Sequence, residues 1–170
     1  SRMALGLYYY RCFRDYDRAL AEIMIASRDR PNDVDVISWR ATLNKRQGNL
    51  DEAIRLNRLA LEIDPLDGTS AQELGTCLYL NREYEASVEA YEQAISISPD
   101  VPGSYYFPLR VHLVWKGDME AIRETIARMP AFIDDVIVVD DCSPDDTSKV
   151  VRATTDHRVC LIRHEENQGV

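Results

Sequence analysis

The sequence predicts a mainly α-helical protein, a stack of antiparallel helix pairs followed by a short strand–helix–strand appendage. Three observations carry that expectation. Pro31, Pro65 and Pro99 stand 34 residues apart. Ala26, Ala60 and Ala94 keep the same interval, and Ala19 and Ala53 are followed in step by Ala86-Ser87 and Ala121. After Pro130 the helical spacing of apolar residues gives way to the continuous run Val136-Ile137-Val138-Val139. A period of this length means that one supersecondary unit recurs, burying its apolar face only against its neighbours.

Within each period, apolar residues return every three or four positions, as in Leu50-Asp51-Glu52-Ala53-Ile54-Arg55-Leu56. That spacing places helices over 4–13, 17–29, 34–47, 51–63, 70–81, 85–97, 107–116 and 119–128. The recurrent Ala positions are notches where two helices can approach closely. Each Pro stops a second helix and fixes φ for the turn into the next pair. Gly48-Asn49 and Lys116-Gly117-Asp118 supply tight turns inside pairs, and Asn81-Arg82-Glu83 does so without glycine. The repeats are expected at 3–33, 34–67, 68–101 and 102–130. The fourth is irregular, because Pro108 falls where its first helix should be under way and Pro130 arrives three residues early, so that helix is expected to start late.

Residues 131–170 read differently. Val136–Val139 has the pattern of a buried parallel strand. Ser143 as N-cap, Pro144 at the first helical position and Asp146 three residues beyond the cap then open a helix expected to reach about Thr155. Arg158–Arg163 forms a second strand, and the crossover should be right-handed. Two strands and one helix cannot cover both sheet faces and both edges. The segment therefore calls for a partner surface, either the last repeat or a second copy of the chain in a homodimer.

Composition bounds the function. The 170 residues are 45% hydrophobic and 29% charged, those of an ordinary soluble globular protein, and no run approaches the ~18 apolar residues of a spanning helix. The formal net charge of −9 opposes a nucleic-acid partner, because phosphate binding relies on clustered Lys and Arg. Cys12, Cys77, Cys142 and Cys160 form no C-x-x-C pair and no zinc spacing, so buried free thiols in a reducing cytoplasm are expected, with no metal and no cofactor. Ser1 and Arg2 precede Met3 and are expected to be extraneous.

With those residues placed, the chain resembles the tetratricopeptide repeat family over about residues 3–130. Leu74-Gly75, Leu78, Tyr84, Tyr91, Ala94 and Pro99 occupy family positions, while Gly6-Leu7 is displaced by one residue. The resemblance implies a right-handed superhelix whose first helices line a concave groove, with Tyr8, Arg11, Thr42, Lys45, Arg46, Thr76, Tyr79, Tyr106 and Arg110 facing it. Such a basic, tyrosine-bearing surface suits an extended peptide carrying carboxylates, held by charge-assisted bonds and rigid aromatic area, with a plain solvated helix face as the alternative. The family's carboxylate clamp expects Lys and Asn where Ala4 and Tyr8 stand, so the resemblance does not extend to that clamp.

A second resemblance lies in Val136-Ile137-Val138-Val139-Asp140-Asp141-Cys142-Ser143-Pro144-Asp145-Asp146-Thr147 and Leu161–Val170, which look like the nucleotide-binding start of family-two glycosyltransferases of the GT-A fold. It implies that Asp140 or Asp141 contacts the uracil or ribose of a nucleotide-sugar, at the carboxyl end of a parallel strand. An acidic strand-to-helix turn accounts for the same pair. His164-Glu165-Glu166 reads as an exposed charged strand end, and His112 as a packing or capping residue. The family's first strand, its Asp-x-Asp metal motif and its general base have no counterpart in the sequence. The expectation is therefore a non-catalytic scaffold for a protein or peptide partner. A nucleotide-sugar-binding remnant, or a truncated or recombined glycosyltransferase fused to repeats, is the alternative.

Overall fold

A computed structural model describes residues 1–101, 103–115, 119–142 and 147–167, and divides them into two compact units, Ser1–Ser98 and Pro99–Val170. The Lys116-Gly117-Asp118 turn and the Ser143–Asp146 helix start expected from the sequence lie outside the described residues.

The first unit is three antiparallel helix pairs: Arg2–Tyr8 (α1) with Tyr16–Asp29 (α2), Val34–Arg46 (α3) with Leu50–Ile63 (α4), and Gly68–Leu80 (α5) with Tyr84–Ile97 (α6). Aspartates start three of them. Asp15, Asp33 and Asp67 accept from the backbone N–H groups of Arg18, Val36 and Thr69 at 3.0–3.1 Å, satisfying donors that the first helical turn leaves open. The turns inside the second and third pairs are copies of each other. Gly48 and Arg82 both take the left-handed conformation, with φ of 83° and 63°. Asn49 and Glu83 then donate back to the carbonyls of Asn44 and Leu78, each at 2.9 Å.

The expected small-residue notches are real contacts. Ala19, Ala26, Ala53, Ala60, Ser87 and Ala94 are buried between helices, while Ala86 and Ala121 are half-buried. A side chain on Gly75 would meet the Tyr91 ring at 2.8 Å, and one on Gly6 would meet Ile23 at 2.9 Å. These two contacts explain the displacement of Gly6. The separation from Gly6 to Ile23 is one residue longer than that from Gly75 to Tyr91, and α1 ends in a single π turn, Tyr9–Phe13, that takes up the extra residue. The first helix is therefore not the uniform α-helix over 4–13 that the spacing suggests.

In the second unit Gly103–Trp115 (α7) pairs with Met119–Ala127 (α8). Here the late start expected from Pro108 is corrected. The helix begins at Gly103 and carries Pro108 inside it. Pro removes one backbone hydrogen bond and crowds the preceding turn, a cost of about 3 kcal/mol. Its ring, however, is fully buried with Tyr105 and Val111, and the Tyr105 hydroxyl donates to the Pro99 carbonyl at 3.1 Å. Burial of those side chains offsets the lost bond.

Val136–Asp140 (β1) and Val159–Arg163 (β2) pair in parallel with register Val136↔Val159 through Asp140↔Arg163. Thr147–Arg152 (α9) packs on both strands and ends three residues before the expected Thr155. The fully buried strand predicted for 136–139 is also corrected. Ile137 and Val139 are 62% and 48% exposed and Ile162 is 45% exposed, because these side chains alternate onto the other face of a two-stranded ribbon. Arg158 ties β2 to α8, donating to the carbonyls of Ile126, Met129 and Pro130 at 3.1–3.3 Å and pairing with Asp156. Of the four cysteines, all free, only Cys77 is buried; Cys12 and Cys160 are exposed, so the expectation of four buried thiols fails.

Candidate functional site

The first helices α1, α3 and α5 lie next to one another. Ser38 and Ser70 share a hydroxyl hydrogen bond at 3.1 Å, and the Lys45 ammonium is held by Glu73, linking α3 to α5. Of these four side chains only Lys45 belongs to the expected groove set.

At the α1–α3 junction the Arg11 guanidinium lies over the Trp39 ring, 5.9 Å from its centroid. Trp39 meets Tyr10 edge-on at 5.6 Å, and Tyr10 stands 5.9 Å from Tyr16. A hydrogen bond to the Tyr10 side chain, followed by charge interaction with the same group, raises Arg46 above the ordinary arginine value. Arg11 and Arg46 are both exposed. Tyr8 is exposed as well, but its ring packs edge-on against Phe13 at 5.2 Å. Thr42 is half-buried.

Two predicted groove side chains are engaged internally. Lys45 and Glu73 have only 11% and 31% of their side chains exposed, so this ammonium is already neutralised within the fold. Thr76 donates to the Gln72 carbonyl and shares a 3.1 Å bond with the Tyr91 hydroxyl of α6. Tyr79 is half-buried with its ring 6.0 Å from Tyr84. Tyr106 and Arg110 belong to the second unit, on α7, where Tyr106 is 56% exposed. Tyr10, Trp39 and Glu73 were not singled out from the sequence. Their signal was available only as apolar or charged residues on first-helix faces, indistinguishable there from packing residues.

At the end of β1, Asp140 is buried at 2% exposure; its Oδ2 accepts from the Ser148 hydroxyl of α9 and lies 3.3 Å from Arg163 Nη1. Asp141 Oδ1 is hydrogen-bonded to His164 Nδ1 at 2.8 Å. Cys142 follows with φ of 61°, and its thiol donates to the Glu165 carbonyl at 3.4 Å. These bonds cross-link the ends of the two strands and anchor α9 on them. Among the described residues no three His, Cys, Asp or Glu side chains gather into a metal-holding group.

With helix pairs, notches and turns in place, family comparisons read consistently. Residues 3–68 and 69–101 each match the family Tetratricopeptide repeat. Residues 3–101 are tetratricopeptide repeats. They are followed by a segment, 119–170, that matches Glycosyl transferase family 2. The repeat matches stop at 101 and the second match begins at 119, so α8, counted from the period into a fourth repeat, falls inside the glycosyltransferase-like segment. A curated relative, the small glutamine-rich tetratricopeptide repeat-containing protein 2 of Mycosarcoma maydis, is 31% identical over 86 residues. The match covers 51% of this chain but spans only 24% of that relative's length. Among solved structures, MamA superposes with a TM-score of 0.66 at 20% identity, over 75% of this chain and 69% of its own. The first tetratricopeptide domain of Spaghetti (RPAP3), bound to the HSP90 peptide SRMEEVD, superposes at 0.63 and 15% identity, over 66% and 89% of the two chains. At such identities the likeness shows the shared fold of stacked helix pairs. Among the described residues no helix is long and apolar enough to cross a membrane.

Proposed function

We propose that this protein is a non-catalytic scaffold whose tetratricopeptide repeats hold an extended, acidic peptide along α1, α3 and α5. The observation that carries the reading is the row of first helices itself, laid side by side, linked by Ser38–Ser70 and Lys45–Glu73 and offering exposed cationic and aromatic groups. Guanidinium groups bind carboxylates through paired charge-assisted bonds, and tyrosine or tryptophan adds contact area at small entropic cost. That Spaghetti's repeat domain binds the HSP90 peptide SRMEEVD supports an acidic peptide as the ligand class. Affinity capture by the intact chain from a peptide mixture tests the proposal. Peptides rich in Asp and Glu should be retained, and equal retention of basic peptides would count against it.

A second reading is favoured by the match of 119–170 to Glycosyl transferase family 2: this segment binds a nucleotide-sugar, as a remnant of, or as a truncated or recombined, glycosyltransferase. In that reading Asp141 is the better placed of the pair, since Asp140 is buried and engaged by Ser148 and Arg163. Calorimetry with uridine diphosphate, with and without a divalent metal, separates the two. Only this reading predicts heat that disappears in Asp141→Ala.

A further inference from the structure

We infer that the scaffold grips its peptide by a carboxylate seated on Arg11 and Arg46, backed by the Tyr10–Trp39 ring pair, and that Lys45 takes no part. This inference rests on the peptide-binding reading and goes further by fixing the anchor and the ligand group it takes.

The predicted cationic surface divides into two kinds of site. Lys45 is held by Glu73 and largely shielded from water. A peptide carboxylate arriving there would have to displace Glu73 and leave that acid half-buried and unpaired, which opposes the exchange. Arg11 and Arg46 are in the opposite condition. Arg2, Arg18, Arg30, Arg40 and Arg55 of the same unit each lie against an acidic side chain. Arg11 instead rests on Trp39 with no acidic side chain against it among the described residues, while Arg46 has the Tyr10 side chain as its main influence and Glu73 only as a lesser one, acting through charge without an ion-pair contact. Neither contact neutralises the charge.

Geometry adds preorganisation. A guanidinium lying on an aromatic face keeps its N–H edge open, so it can still form the forked bond to a carboxylate. Tyr10 and Trp39 hold each other edge-on and pack, with Met3 and Tyr16, onto the core formed by Ala19, Ile23 and Leu43. The cations are thus mounted on a rigid base, and little side-chain entropy remains to be lost on binding. Further along, Glu73 keeps its acidic charge matched to Lys45, and Thr76 is bonded to Tyr91. The face is therefore cationic over the first two pairs and neutral over the third, and suits a peptide with its acidic group at one end.

The test selects binders from a displayed library of random peptides on the full chain, then measures one of them by fluorescence anisotropy. The selected peptides should be enriched in Asp and Glu. Arg11→Gln and Arg46→Gln should each weaken binding about tenfold, the loss of one charge-assisted pair. Lys45→Gln combined with Glu73→Gln, which keeps that site neutral, should change it less than about twofold. Comparing free and amidated C-termini tells whether the seated group is terminal or a side chain. Both arginines are exposed, so the fold should survive substitution, as circular dichroism would verify. Selected peptides lacking carboxylates, or binding that follows Lys45 and ignores both arginines, would overturn the anchor alone. A library yielding no binder at all would overturn the peptide-binding reading and the anchor with it.

Discussion

Gly75→Ala is the sharpest probe of how the repeats are held together. The added Cβ would stand 2.8–2.9 Å from three carbons of the Tyr91 ring, inside ordinary contact distance. The ring cannot swing aside freely. Tyr91 is 1% exposed, its hydroxyl is bonded to Thr76, and Ser87 donates to the Gly75 carbonyl at 2.8 Å on the same side. Overpacking a filled core costs about 1–3 kcal/mol. Against that, Ala in a helix interior gains about 1 kcal/mol over Gly. The expected net is a loss of about 1 kcal/mol, with ~2 kcal/mol as the upper end. Urea titration followed by far-ultraviolet circular dichroism reads the shift in midpoint. The control is Tyr91→Leu, which removes the ring. In that background Gly75→Ala should stabilise, so the two substitutions couple with a sign reversal. A Gly75→Ala protein as stable as the parent, or equal effects in both backgrounds, would refute the close approach of α5 and α6.

Other expectations follow from features already described. Arg82 holds a left-handed φ that glycine adopts without strain, so Arg82→Gly should raise stability by a few tenths to about 1 kcal/mol, whereas Gly48→Ala should lower it by ~1 kcal/mol, both readable by urea midpoint. Burial, the largest influence, pushes the Cys77 thiol up to about 11, so a maleimide should label the exposed Cys12 and Cys160 in the native protein and reach Cys77 only on unfolding. Because that thiol stays protonated in the fold while an unfolded one ionises near pH 8.5, its contribution to stability should decline as pH rises above that value toward 11. Hydrogen bonding from Arg158 holds the Asp156 carboxyl at about 2; its contribution is complete above the usual carboxylate range near 4 and fades as pH falls toward 2, a dependence that Asp156→Asn should remove from acid titration of the second unit. Arg158→Gln should speed hydrogen exchange in the last turn of α8, whose terminal carbonyls it now satisfies.

Much of the fold was legible because its punctuation is chemical. A proline cannot continue a helix and an alanine cannot hold two helices apart, so Pro31, Pro65, Pro99 and the buried alanines marked the pairs directly. Pro108 misled for the opposite reason. The rule against proline inside helices is a local cost, and here burial of its own ring with Tyr105 and Val111 outweighs it. The site was less legible. Lys45 and Glu73 lie in different repeats, and their pairing depends on how α3 stacks on α5, which no local pattern encodes. Thr76 has the same period as Thr42, yet it is turned to Tyr91 by a hydroxyl that Asn57, at the equivalent place in the second repeat, does not offer. Asp140 reads from the sequence as one half of an acidic strand-to-helix turn or as a nucleotide contact. Only the register that sets it opposite Arg163, with Ser148 above, reveals it as an internal tie.

The π turn at Tyr9–Phe13 bears on how such an array keeps time. Gly6 still finds Ile23 although the count to it is one too long, so phase is kept by interlocking shapes and not by chain length. A helix of this kind has a slack end and a taut end. A residue added beyond the glycine can be swallowed as a local loosening of the coil, whereas one added ahead of the mating pair would have to slide the whole rod. Drift among related sequences should accordingly gather near the far ends of first helices and spare the glycine contacts.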